Sequence, residues 1–139
     1  MKTLVLFIAL AAINLITQAQ ETKGVTITVT VPNISSTEGS ILFGLYDENT
    51  FMKAAPIQSA KGEIVNGVAK ITFANVVNGE YGITCFHDVN NNERMDFEEN
   101  GMPKENYGVS NNSMNYGPPI WSDAKFTVGS EDIALEIRL

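Results

Sequence analysis

The sequence predicts an all-β domain built as a two-sheet antiparallel sandwich of about seven strands. Three observations point there. Apolar and polar residues alternate at period two through most of the chain after residue 24, the mark of strands with one buried face. The alternating stretches are short and are separated by Gly and Asn turn signals. No stretch repeats its apolar residues at the 3.6-residue spacing of a long amphipathic helix.

Taken in order, Val25, Ile27, Val29 and Val31 alternate with Thr26, Thr28 and Thr30 until Pro32 ends the run. After Glu38-Gly39, Ile41, Phe43 and Leu45 form a second inward set and leave Leu42 and Tyr46 facing outward. Asp47 and Asn49 are candidate caps for one helical turn over 47–55. A weaker strand is expected over 57–65. Asn66-Gly67 then introduces Ala69, Ile71 and Phe73, and Asn78-Gly79 introduces Tyr81, Ile83, Cys85 and His87 on one face. Asn-Gly pairs suit tight hairpin turns because those positions demand positive φ. Ala124, Phe126 and Val128 give the next strand, and Ile133, Leu135, Ile137 and Leu139 the last.

The first residues read differently. Met1-Lys2-Thr3 is followed by an apolar run from Leu4 to Ile16 and then by Thr17-Gln18-Ala19-Gln20. A signal peptide over 1–19, cut after Ala19, is the expectation, with a single domain over 20–139. The run is shorter than the roughly 20 residues that cross a bilayer, so no membrane span is expected. Export to the periplasm or the outer surface follows. Removing the segment takes out Lys2 and moves the formal charge from −7 to −8. Such acidity argues against nucleic acid and anionic membrane surfaces as partners. Cys85 is the sole cysteine, so no intrachain disulfide forms and stability must come from the core or a metal.

About 36 residues between His87 and Ala124 lack alternation, and connections that long are usually functional or disordered. Phe97, Tyr107, Tyr116, Ile120 and Trp121 need burial or a partner, which favours order. The stretch begins with an acidic, Asn-rich loop over 88–99 and continues as an extended loop over 100–122. Counting Asp88 as position 1 of a twelve-residue calcium loop, oxygen-bearing side chains fall at positions 1, 3, 5, 9 and 12. These are Asp88, Asn90, Asn92, Asp96 and Glu99, with the Arg94 carbonyl at position 7. Calcium wants six to eight hard oxygen ligands, and alternate side chains can converge to supply them. Glu93 stands at position 6, where glycine is expected, and the loop follows a strand, so this is not an EF-hand pair. A metal-free acidic turn is the competing reading, since Asn and Asp also serve turn geometry.

His87 has two readings as well. It is either a buried histidine bonded to loop backbone or a general base assisted by Asp88, Glu105 or Asp123 in a hydrolase. No further catalytic constellation accompanies it, and an enzyme is not the expected class. Farther on, Glu105, Tyr107, Asn111, Tyr116 and Trp121 are candidate contacts for a glycan or protein ligand. Trp121 and Tyr107 equally suit capping one end of the core.

The runs Asn78-Gly79-Glu80-Tyr81, His87-Asp88-x-Asn90-x-Asn92, Met95-Asp96, Gly101-x-Pro103-x-Glu105-x-Tyr107-Gly108-x-Ser110-Asn111 and Asp123-Ala124-x-Phe126 resemble a bacterial family known as domain of unknown function 2141. The resemblance covers nearly all of the chain after the leader and implies an exported all-β domain. It brings no activity with it. Phe73-Ala74-Asn75-Val76 through Tyr81 is similar to prealbumin-like sandwich modules on bacterial surfaces, a variant of the Ig-like sandwich. The expectation is a calcium-stabilised binding module of the envelope with a glycan or protein ligand. The alternative is an accessory subunit pairing through Leu42 and Tyr46.

Overall fold

Eight short strands form two facing sheets, described by a computed structural model over residues 23–113 and 115–139. The expected signal peptide over 1–19 lies outside the described residues. The strands are β1 (Val25–Val31), β2 (Ser40–Tyr46), β3 (Gln58–Gly62), β4 (Ala69–Val76), β5 (Gly79–Asp88), β6 (Tyr107–Val109), β7 (Phe126–Val128) and β8 (Ile133–Glu136). One sheet has the order β4-β1-β8. The other has the order β3-β2-β5-β6, with β7 pairing the start of β5. Every pair is antiparallel except β1 with β8, which run parallel.

Alternation decides which side chains meet between the sheets. Val25, Ile27, Val29 and Val31 are all buried and face Ile41, Phe43 and Leu45 of β2 and Tyr81, Ile83 and Cys85 of β5. On β4 the inward rhythm runs Ala69, Ile71, Phe73 and then slips to Val76. Two residues of β4, Ala74 and Asn75, there oppose Thr26 alone on β1, a bulge with Asn75 at φ 56°. Tyr81 near the start of β5 donates its hydroxyl to the Val77 carbonyl at 2.8 Å, the corner arrangement seen in immunoglobulin-like sandwiches.

The outer face of the five-stranded sheet carries a second, smaller core. The turn after β2 is held by the Asp47 carboxylate, which accepts from the Asn49 and Thr50 amides, and by the Phe51 amide bonding the Asp47 carbonyl. It folds Phe51 over β5, where Gly82 offers a flat seat under the Phe51 and Trp121 rings. Those rings lie 5.5 Å apart, and Tyr46 meets Phe51 edge-on at 5.8 Å. Tyr46, expected to be free for a partner strand, is thus half-buried under the domain's own turn.

Trp121–Ala124 forms a single helical turn, α1, so Ala124 ends a turn rather than opening a strand. The Ser110 hydroxyl ties this region down: it accepts from the Ile83 amide and donates to the Ala124 carbonyl. Asn111 donates to the Asp123 and Lys125 carbonyls, and Asn112 pairs with the Glu136 carbonyl and the Arg138 amide along the edge beyond β8. The Ser-Asn-Asn run stitches the long excursion to both sheets. Among the described residues no helix is long and apolar enough to cross a membrane.

Candidate cation-binding loop

The last residue of β5, Asp88, points to the outer face of its sheet and is fully buried. The chain then turns sharply. Asp88 Oδ1 accepts from the Asn92 amide at 3.2 Å and Oδ2 from the Glu93 amide at 2.8 Å, so one carboxylate gathers the first turn of the loop. Asn90 Oδ1 also accepts from the Asn92 amide, and Asn92 Oδ1 from the Arg94 amide, each an Asx turn that bends the backbone around the same centre. Asn91 and Glu93 take left-handed conformations, φ 53° and 62°. Glu93 therefore adopts the backbone that the calcium-loop template assigns to glycine at position 6.

Asp96 is the second carboxylate of the loop. Asn90 Nδ2 donates to its Oδ2 at 2.8 Å, and Asn92 Nδ2 to both of its oxygens at 2.9 Å. Those amides hold the Asp96 carboxyl below its ordinary value, with Arg94 and Lys104 adding to the effect. A lowered carboxyl gives stability that is present above the ordinary aspartate range and is lost as the pH falls through the lowered value.

Beyond Asp96 the chain makes a hairpin. Phe97 bridges Pro103, the Glu98 amide bonds the Met102 carbonyl, and the Gly101 amide bonds the Glu98 carbonyl. The Lys104 amide returns to the Asp96 carbonyl, and Glu105 Oε2 accepts from the Asp96 amide at 3.3 Å. Glu99 lies exposed at the hairpin tip, about 10 Å along an extended arm from Asp96. Glu105, buried at 9% exposure, brings its carboxylate back to the loop instead. A twelve-residue count along the chain ends at Glu99 and does not reach Glu105, because the hairpin reverses direction between the two glutamates. The Gly101-x-Pro103 turn signal was the available clue.

The donor set is oxygen only: three carboxylates from Asp88, Asp96 and Glu105 and two amide oxygens from Asn90 and Asn92. That chemistry suits a hard cation and not a soft one. Among the described residues no group of three or more His, Cys, Asp or Glu side chains is gathered closely enough to hold a metal ion. The Asn90 and Asn92 amides present Nδ2 to Asp96, while their Oδ1 atoms accept from the Asn92 and Arg94 backbone amides.

The remaining candidates go separate ways. His87 is buried at 6% exposure, its amide bonds the Asn106 carbonyl, and its Nε2 meets the Glu38 carbonyl at 2.6 Å. A carbonyl only accepts, so Nε2 carries the proton and holds backbone. Asp123 lies elsewhere, near Asn111 and Asn115. Burial pushes the Cys85 thiol up to about 12, outweighing the Gly108 backbone bond. Asn111 is exposed and donates to the Asp123 and Lys125 carbonyls, and Trp121 is half-buried against Phe51. Tyr107 is partly exposed on β6, and Tyr116 is fully exposed. Of the five contact candidates, Glu105 and Tyr107 line one groove, and Asn111, Tyr116 and Trp121 are not among its lining residues.

A family model described as an uncharacterized protein conserved in bacteria, DUF2141, matches residues 29–136. The chain belongs to that family. The matched span runs from within β1 to the end of β8, so the loop, the hairpin and the Ser-Asn-Asn stitching all lie within the DUF2141 domain. No curated protein and no solved structure matches the chain.

Glu93 offers a direct check on the loop backbone of this DUF2141 domain. Glu93→Gly removes about 1–2 kcal/mol of left-handed strain and adds up to about 1 kcal/mol of unfolded-state entropy. The expected net gain is about 0.5–1 kcal/mol in urea unfolding. Val89→Gly, at a position without positive φ, is expected to lose stability in the same assay.

Proposed function

We propose that this protein is an exported binding module in which a calcium ion pins the loop after β5 and thereby fixes the long excursion that presents the ligand surface. The observation that carries the reading is the convergence of Asp88, Asn90, Asn92, Asp96 and Glu105 into one hydrogen-bonded network on a buried carboxylate. Asp88 anchors the loop to the sheet, and Glu105 ties the far end of the hairpin to it. Bound calcium would supply positive charge to a loop whose Asp88 and Asp96 carboxylates are linked through Asn92. Export rests on the leader-like character of residues 1–19.

The role of calcium is therefore to order a segment that also carries exposed apolar side chains, leaving a glycan or protein as the class of ligand. For an extracellular-type site with a dissociation constant of about 0.1–1 mM, calcium at about 10 mM adds about 1.4–2.7 kcal/mol. That corresponds to a rise in melting temperature of roughly 5–10 °C for a domain of this size. Glu105→Gln is expected to remove most of the rise, and Glu99→Gln to leave it intact. Identical melting in calcium and in chelator would sink the reading. Loss through Glu99 rather than Glu105 would refute the ligand assignment.

A further inference from the structure

A groove of about 440 Å³ runs beside β6, the edge strand of its sheet, between Met102 and Pro103 on the hairpin's return arm and Arg138. That volume is within the range of about 300–1,000 Å³ typical of ligand sites. Its polar side chains are held by the fold itself. Asn112 Oδ1 accepts from the Arg138 amide at 2.8 Å, and Nδ2 donates to the Glu136 carbonyl at 3.0 Å. Glu105, buried at 9% exposure, has one oxygen on the Asp96 amide at 3.3 Å. The Arg138 guanidinium rests on the Glu136 carboxylate through Nε at 3.5 Å. Asn106 accepts from the His87 amide with its backbone carbonyl and keeps its side chain exposed.

This lining is chemically mixed but electrically even. Among the described residues its charged side chains are Glu105 and Arg138, one of each sign. An anionic ligand would meet a protein of formal net charge −7, and a cationic one finds no surplus of carboxylate within the groove. Carboxamides, a carboxylate and a guanidinium set acceptors and donors side by side, which suits hydroxyls, each both donor and acceptor. Tyr107 lines the same groove at 38% exposure and adds a ring. An aromatic face packs against the C–H face of a sugar ring while polar neighbours take its hydroxyls. β6 is three residues long, so its edge offers a peptide little of the main-chain bonding that strand addition relies on.

We infer that this groove takes a neutral saccharide chain, one sugar ring stacked on Tyr107 and its hydroxyls bonded by Asn106, Asn112, Glu105 and Arg138. The Asn112 and Glu105 side chains are in place before binding, so little of their freedom is lost on it. The inference rests on the binding-module reading above and narrows its ligand to a neutral glycan. Glu105 is where the two meet, since it lines the groove and belongs to the proposed cation set.

The test is native electrophoresis of the full protein, with calcium and with chelator, in gels containing dextran, soluble starch, galactomannan or hydroxyethylcellulose. Matched gels contain alginate, an anionic chain, or gelatin, a polypeptide. At least one neutral polysaccharide is expected to retard the protein, and alginate and gelatin are not. Tyr107→Ser is expected to weaken the apparent affinity about tenfold, and Asn106→Ala about three- to tenfold. Tyr107→Phe keeps the ring and should retain most of the affinity, and melting curves confirm that each variant is folded. Three outcomes overturn the inference: no retardation by any of the neutral chains in either buffer, equal retardation by alginate, or full affinity in folded Tyr107→Ser. Retardation by gelatin would make a peptide the occupant and overturn it too. Calcium-dependent melting is read separately, so a groove that binds no saccharide leaves the cation reading standing, and the reverse holds as well.

Discussion

Asp88→Ala is expected to lower the melting temperature by roughly 10 °C and to abolish any response to calcium. The carboxylate is fully buried and accepts two backbone amides, from Asn92 and Glu93. Bonds to a charged acceptor contribute about 1.5 kcal/mol or more each, and the alanine leaves both donors without a partner in a loop that cannot easily resolvate. About 3 kcal/mol is lost, which for a domain near this size is roughly 10 °C or slightly more. Asp88→Asn keeps the shape and one acceptor oxygen, so it should recover part of the stability but not the calcium response. Melting followed by circular dichroism, with and without calcium, reads both effects. An alanine variant that still gains stability from calcium would show that Asp88 organises the loop without being a ligand.

Gly39→Ala is expected to cost about 3 kcal/mol, from a residue outside the loop altogether. Gly39 sits at φ 71°, and a Cβ there would fall 2.1 Å from the Asp88 carbonyl oxygen. The obstacle is backbone, so it cannot be relieved by rotating a side chain. Left-handed strain adds about 1–2 kcal/mol and forced displacement about 1–3. The contact also explains how the loop is seated. The chain before β2 lies against the end of β5, with His87 holding the Glu38 carbonyl and Ser40 donating to Asn91. Gly101→Ala is the matched control: its φ is 83°, but nothing lies within 4 Å of the added carbon, so about 1 kcal/mol is expected. Equal denaturation midpoints for the two variants would mean that the close approach at Asp88 carries no weight.

Period-two alternation located most of the sandwich because one buried face writes itself into every other residue. Val25 to Val31 is the plainest case, each valine or isoleucine buried and each threonine half-exposed. The same rule could not find β6. Tyr107-Gly108-Val109 is too short to show a period and becomes a strand by pairing with β5. Nor does alternation carry direction, which is why the parallel pairing of β8 with β1 departs from an all-antiparallel expectation. Ala124 fitted the rhythm of the next strand, yet its amide bonds the Ile120 carbonyl in a helical turn.

The candidate site was legible where it was local. Asp88, Asn90, Asn92 and Asp96 fall within nine consecutive residues, and their spacing is read from the sequence alone. Glu105 was legible as a candidate ligand contact or partner of His87 but not as a member of the loop, because its approach to Asp96 depends on a hairpin closed by Phe97 and Pro103. Asn111 and Trp121 looked like ligand contacts for the opposite reason. Polar amides and a large ring suit recognition and internal stitching equally; here Asn111 bonds the Asp123 and Lys125 carbonyls and the Trp121 ring packs on Phe51.

In the proposed function the loop after β5 takes a calcium ion through Asp88, Asn90, Asn92, Asp96 and Glu105. Calorimetric titration of the purified protein with calcium chloride tests it most directly. One saturable site per chain is expected, with a dissociation constant of about 0.1–1 mM, absent in Asp88→Ala and weakened by at least about tenfold in Glu105→Gln. Titration heats no greater than dilution, together with melting curves that coincide in calcium and in chelator, would contradict it.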